Sequence, residues 1–255
     1  MSNKVQHYVD VIIVLAQKDF KIRYRNSVLG FVWSLLNPLA YMAILTLVFY
    51  FLLRVNIPNF APWLLIGLLV WRFFSIGTAQ GLVSIIGNTS LVSKVYMPRY
   101  LIVLSNNLAN FIGAALEFLV LLPLLVLLGI NLTAYAVFLP VILVLEFLLI
   151  FGLSLSLSSI NMRYRDFYQI WEITLQLGFF VSPIVYDSNL IPSKFRQVYS
   201  LNPVTRLIES TRGIFLHNEL PSLLDITVII SCIVTVLLVG SLIFRRLERR
   251  FAEEL

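Results

Sequence analysis

The chain has 255 residues, of which 59% are hydrophobic and 13% are charged, and its formal net charge at pH 7 is +6. Soluble domains carry about 25% charged residues, so this composition excludes an ordinary soluble protein and indicates an all-α integral membrane protein. The single cysteine, Cys232, excludes an internal disulfide framework and a cysteine-based metal cluster. The polar first residues include Asp10 and lead us to expect that no signal peptide is removed.

Residues 1–30 are predicted to form a cytoplasmic amphipathic helix that lies in the membrane interface, followed by a lead-in to the first span. Asp10, Gln17, Lys18 and Lys21 face away from apolar residues that recur at helical spacing. These apolar residues are Val5, Tyr8, Val9, Ile12, Leu15 and Ala16. The alternative is that the whole segment is an ordinary lead-in.

Six apolar runs follow, each of them long enough to cross a hydrocarbon layer about 30 Å thick. They cover residues 31–53, 61–86, 101–128, 135–160, 168–186 and 223–244. We expect one six-span transmembrane domain over 31–244 and a basic tail at 245–255. Because the number of spans is even, both termini lie on the same side of the membrane.

The basic residues predict that this side is the cytoplasm, since Lys and Arg are concentrated in cytoplasmic loops. Thirteen basic residues flank the membrane on the side of the termini: Lys4, Lys18, Lys21, Arg23, Arg25, Lys94, Arg99, Arg163, Arg165, Arg245, Arg246, Arg249 and Arg250. Five lie on the other side: Arg54, Lys194, Arg196, Arg206 and Arg212. The net positive charge is therefore interpreted as a mark of cytoplasmic loops and of contact with lipid headgroups, and no nucleic-acid partner is expected.

The outer segment 187–222 is predicted to contain two short re-entrant helices, at about 193–199 and 203–215. Asn202 and Pro203 form a helix-start signal, because Asn caps helices and Pro fits the first helical position. The second helix has an apolar stripe made of Val204, Leu207, Ile208, Thr211 and Phe215, and Arg206, Glu209 and Arg212 are expected off this stripe. A surface loop with one helical turn is the alternative.

Catalytic and nucleotide-binding motifs are missing from the sequence. It contains no H-E-x-x-H, no G-x-S-x-G and no phosphate-binding G-x-x-x-x-G-K-[ST] motif. We therefore expect that the chain is not an enzyme, holds no metal, and depends on another chain if ATP drives it.

Polar residues inside the spans need partners, because each is costly in hydrocarbon. Asn106, Asn110 and Glu117 lie within a narrow arc of the third span, where they form either a polar wall of a translocation path or contacts between helices. Arg72, in the second span, is expected to pair with Glu117 or Glu146, or to face a wet cavity.

Aromatic residues form stripes on three spans. In the fifth span, Tyr168, Trp171, Leu175, Phe179, Ser182 and Tyr186 lie within about 60° of one another and extend over about 27 Å if the helix is continuous. The other two stripes contain Trp63, Trp71 and Phe74 in the second span and Trp33, Asn37 and Tyr41 in the first. Ring faces that stack on sugars would suit a polysaccharide conduit, whereas ordinary packing is the alternative.

A series of short motifs runs through about 18–215. They are KDFKIRYR at 18–25, SVLG at 27–30, WSLLNPL at 33–39, GLLVW at 67–71, FF at 73–74, KVYMPR at 94–99, RD at 165–166, SPIVY at 182–186 and NP at 202–203, with RFAE at 250–253 near the end. Their order and spacing resemble the membrane subunits of type 2 ABC exporters, in particular O-antigen and capsular polysaccharide export permeases. Arg72 departs from the family, which commonly carries an uncharged residue after the tryptophan.

The resemblance implies a homodimer bound to two copies of a separate ATPase, which holds the ATP and Mg²⁺, so that this chain has no cofactor of its own. It implies export of an undecaprenyl-linked glycan, such as O-antigen, to the outer leaflet of a bacterial inner membrane. Capsular polysaccharide and teichoic acid are the alternatives within the class, and a secondary transporter or channel is the alternative outside it.

The resemblance also assigns roles to polar residues outside the spans. The ATPase is contacted by the N-terminal helix and the second cytoplasmic loop, here Lys18, Lys21, Arg23, Arg25, Lys94, Tyr96, Pro98 and Arg99. The short helices before the last span form the outer gate, here with Asn202, Pro203, Arg206, Glu209 and Arg212.

Overall fold

The structure is a computed structural model that describes residues 2–24, 30–94, 97–248 and Phe251. All regular secondary structure in these ranges is helical. The α-helices are α1 (Ser2–Tyr24), α2 (Val32–Leu45), α3 (Phe60–Val83), α4 (Thr89–Lys94), α5 (Tyr100–Leu127), α6 (Leu139–Arg163), α7 (Phe167–Val181), α8 (Ser193–Leu201), α9 (Pro203–Arg212) and α10 (Leu223–Glu248). Two π-helical segments, Thr46–Leu52 and Gly213–His217, continue α2 and α9.

Within the described residues, five helical segments are long and apolar enough to cross a membrane. They are Val32–Leu52, Phe60–Val83, Tyr100–Leu127, Ala134–Arg163 and Leu223–Glu248. They coincide with five of the six predicted spans and confirm a multi-pass, all-helical protein. The last of them continues through the predicted start of the basic tail to Glu248.

The fifth predicted span, 168–186, is wrong at its C-terminal end. Helix α7 ends at Val181, and Ser182 is extended with φ −85° and ψ 143°. Ser182 precedes Pro183, and the proline ring disfavours the helical conformation in the preceding residue. The 15 residues of α7 therefore extend over about 22 Å, and the predicted continuous face of 27 Å does not include Ser182 or Tyr186.

Helix α3 forms the centre of the fold. It packs against α5, α6, α7 and α9. Of its apolar 18-residue stretch 78% is buried, compared with 6% of the corresponding stretch in Val32–Leu52. Helix α10 packs closely along α6, since a Cβ atom at Gly240 would lie 2.2 Å from the carbonyl oxygen of Gly152. The central helix carries the residues around which both candidate cavities form.

The predicted N-terminal helix is present as α1, which packs against α5 through the buried residues Leu15 and Ala16. Its placement in the membrane interface stays a prediction. Other apolar side chains of α1, such as Val9 and Val14, are exposed.

The two predicted outer helices are present as α8 and α9. Asn202 caps α9, since its Oδ1 atom accepts a hydrogen bond of 3.0 Å from the backbone N–H of Val204. The predicted apolar stripe is buried, but Arg212 was wrongly expected off it and is only 1% exposed. At 100° per residue Arg212 lies about 40° from Ile208, within the buried face, and carbonyl oxygens and an aromatic ring surround its guanidinium group.

Candidate functional site

A cleft of about 1040 Å³, here called the α2–α5 cleft, lies between α2, α3, α5 and the C-terminal end of α1. It brings together residues from all four helices that the sequence analysis assigned to separate roles. The lining residues that matter here are Arg23, Trp33, Asn37, Tyr41, Arg72, Gln80 and Glu117. Of these, Gln80 was not identified from the sequence, although it lies in the second predicted span eight residues after Arg72.

Arg72 and Glu117 form an ion pair in the wall of the cleft. The Nε atom of Arg72 lies 3.3 Å from Oε2 of Glu117, and Nη1 donates to Oδ1 of Asn37 over 3.1 Å. The structure therefore selects Glu117 as the partner among the predicted alternatives. Glu146, the other candidate, is completely buried in α6.

Arg23 connects α1 to the wall of the cleft. Its Nη2 atom donates to Oε1 of Gln80 and, over 2.6 Å, to Oδ1 of Asn110. On the same helix Asp19 accepts a bond of 3.5 Å from the side chain of Asn106. Both asparagines therefore contact α1, as the interpretation in terms of contacts between helices predicts, while Asn110 also lines a narrow gap with both arginines.

A second cavity of about 580 Å³ adjoins the cleft, between α2, α3 and α7. Phe179 of α7 and Trp71 of α3 line it, with ring centroids 6.2 Å apart in an edge-to-face arrangement. Phe74 packs on Trp71 at 5.6 Å, away from this lining. Asn37, Tyr41, Arg72 and Ile76 line both cavities, so the two adjoin each other.

The aromatic stripe of α7 divides into packing and cavity residues. Trp171 donates from Nε1 to Oγ1 of Thr78 over 3.2 Å, which fixes it on α3. Gly178 is pressed against Trp71, where an added Cβ would lie 2.8 Å from the indole ring. Tyr168 is exposed and bonds to Glu172. Packing thus accounts for Trp171, and a glycan path along Phe179 stays a prediction.

Arg212 anchors α9 to the core. It donates from Nη1 to the carbonyl of Pro183 over 2.7 Å, from Nη2 to Ile184 over 3.1 Å and from Nε to Trp63 over 3.2 Å. Burial lowers the pKa of Arg212 to about 10, which still leaves it charged at neutral pH, and Glu209 lies 3.2 Å from Nη1. Trp63, predicted to line a path, lies beneath this guanidinium group.

Two further outer residues hold neighbouring segments together. Arg206 forms an ion pair with Asp225 of α10 and bonds to the carbonyl of Ser200. The hydroxyl of Tyr186 lies 3.0 Å from the carbonyl oxygen of Val181, and Ser182 is buried. These contacts fix the chain between α7 and α10, and a gating role stays a prediction.

The predicted ATPase-coupling residues lie around the ends of α1 and α5. Lys18 donates to Oδ1 of Asn88 over 2.6 Å, and Lys21 is exposed. Pro98 precedes α5, and the Arg99 side chain donates to the carbonyl of Glu248 at the end of α10. Arg25, Tyr96 and the side chain of Lys94 lie outside the described residues.

Arg99 belongs to a cluster of side chains at the C-terminal end of α10. Its guanidinium group lies 5.8 Å from the ring centroid of Phe251, which is 1% exposed and packs edge-on against Phe244. Arg99 is thus engaged by the C-terminal part of its own chain.

Comparison with known sequences adds independent information. The profile of the ABC-2 type transporter family matches residues 10–216. The chain is 33% identical over 259 residues to the O-antigen export system permease protein RfbA of Klebsiella pneumoniae, covering 99% of this chain and 98% of that protein. It is 31% identical over 264 residues to the protein of the same name from Myxococcus xanthus, covering 100% and 99% of the two chains. The chain is 22% identical over 236 residues to the polysialic acid transport protein KpsM of Escherichia coli, covering 91% of each of the two chains.

Proposed function

The chain belongs to the ABC-2 type transporter family as the membrane permease subunit of a type 2 ABC exporter, and we propose that it exports a lipid-linked polysaccharide of the O-antigen class. The observation that carries this proposal is the end-to-end similarity to O-antigen export permeases. Capsule export permeases are more distant, so capsular polysaccharide, and beyond it teichoic acid, remains the second candidate cargo.

The two adjoining cavities along α2 support a glycan as cargo. Trp33 and Tyr41 line the α2–α5 cleft, and Trp71 and Phe179 line the second cavity. Flat ring faces pack against the C–H faces of sugars without a fixed hydrogen-bond register, which allows a polymer to slide. The aromatic residues therefore provide a surface that suits successive sugars of a chain.

The energy source follows from the family, since ABC-2 permeases pair with an ABC ATPase subunit. We propose a homodimer of this chain with two copies of that ATPase. In this assembly ATP and Mg²⁺ are held by the partner, so the permease is a translocation subunit rather than an enzyme.

We further propose that the protein lies in the bacterial inner membrane with six spans and both termini in the cytoplasm. Helix α7 alone is short, and residues 182–185 after it are buried. We propose that α7 and these buried residues together form the sixth crossing. Helices α8 and α9 then enter the outer leaflet as the outer gate. Helix α1 lies in the cytoplasmic interface, where it contacts lipid and its basic residues face the ATPase.

The test is deletion of the gene in the source bacterium, with complementation by the wild-type chain. Surface polysaccharide should be lost while lipid-linked glycan accumulates inside, and complementation should restore export. Copurification with the ATPase should give a two-plus-two complex in which hydrolysis is lost when the ATPase is removed. Undiminished surface polysaccharide after deletion would contradict the function, and ATP hydrolysis by the pure permease would contradict its role.

A further inference from the structure

We propose that the α2–α5 cleft is a binding site for a phosphate ester group attached to an apolar chain, with Arg23 and Arg72 as its ligating residues. The inference rests on the proposed function, because the ligand is then the phosphate linkage of the exported lipid-linked glycan.

The first argument is the charge of the cleft. Among the described residues, two guanidinium groups and one carboxylate line it, and the carboxylate, that of Glu117, pairs with Arg72. The bonds from Arg23 run to the neutral amides of Gln80 and Asn110, and within the described ranges no carboxylate lies within 4 Å of it. The cleft therefore carries one cation in excess of its anions.

The second argument is the chemistry of arginine. A guanidinium group has five N–H donors in a planar fork, which matches the oxygens of a phosphate group. The Arg72 side chain is 22% exposed, and its bonds to Glu117 and Asn37 use Nε and Nη1. No hydrogen bond from Nη2 of Arg72 is present among the described residues, so this group retains donors for a ligand. Both arginines also line one narrow gap between α3 and α5, which places the two side chains close to each other in the wall of the cleft.

The third argument is the depth of the site. Arg72 lies 12 residues after Phe60 and 11 before Val83, hence about 17 Å from either end of α3. Ordinary phospholipids keep their headgroups at the membrane surface, so a phosphate at the middle of the layer belongs to a molecule in transit. Gln80, which accepts a hydrogen bond from Arg23, lies about 12 Å closer than Arg72 to the C-terminal end of α3. A ligand that enters from this end would therefore meet Arg23 before Arg72.

The walls of the cleft explain the apolar part of the ligand. Leu36, Ile44 and Leu45 of α2 line it beside Trp33, and much of α2 is exposed on its outer surface. Such walls stabilise a hydrocarbon chain but offer few partners to a fully hydrated ion. The site therefore fits an amphiphile better than free phosphate.

Binding of farnesyl diphosphate to the purified permease in detergent, measured by calorimetry, tests the site. Arg23→Gln should weaken binding about tenfold, equivalent to about 1.4 kcal/mol, because the amide keeps hydrogen bonds but removes the charge. Glu117→Gln should strengthen binding severalfold, since it removes the carboxylate that competes for Arg72. Arg163→Gln, which removes an exposed charge from the end of α6, is the matched control and should bind as wild type does.

The opposite signs expected for Arg23→Gln and Glu117→Gln separate ligation from structural damage, which would weaken binding in both variants. Size-exclusion profiles establish that each variant is folded. If Arg23→Gln cannot be purified, Glu117→Gln alone decides, and unchanged or weaker binding in Glu117→Gln overturns the proposal.

Three other probes identify the ligand class. Farnesol lacks the phosphate, inorganic diphosphate lacks the chain, and dioctanoyl phosphatidylglycerol represents ordinary membrane lipid. Each should bind at least tenfold more weakly than farnesyl diphosphate. Equal binding of any of them overturns the proposal. Farnesol would indicate an apolar pocket, inorganic diphosphate a free-phosphate site, and dioctanoyl phosphatidylglycerol a site for resident membrane lipid.

Surface polysaccharide in cells carrying the same variants distinguishes failure of the site from failure of the function. If wild type exports and Arg23→Gln binds farnesyl diphosphate normally, the site is wrong and the function stands. If wild type exports no glycan, the proposed function fails whatever the binding shows.

Discussion

The guanidinium carbon of Arg212 in α9 lies 3.4 Å from the ring centroid of Trp63 in α3. The same side chain bonds to three backbone carbonyls, two of them in the segment after α7. One side chain thus joins α9, α3 and the C-terminal continuation of α7. Movement of α9 relative to α3 must therefore break this set of contacts.

Arg212→Met should destabilise the protein by about 2–4 kcal/mol, because three carbonyl oxygens lose a charged donor in a buried place. Arg212→Lys should rescue only a small part, since an ammonium group cannot stack on Trp63 with the same planar fork. Thermal unfolding in detergent measures both. Arg206→Met is the control and should cost less, since Arg206 is more exposed; wild-type stability of Arg212→Lys would contradict the role of the planar group.

Arg72 and Glu117 should show coupled effects on stability. Arg72→Gln leaves Glu117, whose side chain is 10% exposed, without its ion-pair partner, whereas Glu117→Gln leaves Arg72 open to the cleft. Arg72→Gln should therefore be the more destabilising, by about 2–4 kcal/mol, and the double variant should recover part of the loss. A double-mutant cycle on unfolding in detergent tests this, and strictly additive effects would contradict the pairing.

Trp171 and Phe179 should separate into different phenotypes. Trp171→Ala removes a side chain that packs on α3 and bonds to Thr78, so protein yield and thermal stability should both fall. Phe179→Ala removes a wall of the second cavity and should reduce surface polysaccharide more than it reduces yield. The two assays are run on both variants, and equal loss of yield and export in Phe179→Ala would assign that residue to packing.

Arg99→Glu should uncouple ATP hydrolysis from export in the complex with the ATPase. The new carboxylate would face the carbonyl of Glu248 and lose the contact with the Phe251 ring, so the end of α10 should detach. Phe251→Ala should produce a milder form of the same defect, because it removes a buried ring from that cluster. The ratio of ATP hydrolysed to polysaccharide exported measures the coupling.

Normal coupling in Arg99→Glu would show that the cluster at the end of α10 does not transmit the movement of the ATPase. Arg163→Glu is the control, since it reverses an exposed charge at the end of another long helix. Its coupling should stay normal.

Local signals in the sequence predicted the outer helices well. Asn202 and Pro203 locate the start of α9 because both act on the backbone within one turn. The predicted end of α7 is wrong: Pro183 signals an earlier end, whereas the aromatic periodicity on which the prediction rests continues through 186. Periodicity records which residues would share a face, but it does not establish that the helix continues.

The sequence alone determined that the protein lies in a membrane, that it is helical, and approximately where five long helices begin and end, because hydrophobicity and helix capping act over a few residues. Only the tertiary structure decided that Arg72 pairs with Glu117, that Arg23 enters the cleft, and that Arg212 is buried. In an apolar layer every charged group requires a partner, and the sequence shows which residues require one. Which partner meets it depends on which helices lie side by side, and residues such as Trp63 and Arg212 come together only when α3 packs against α9.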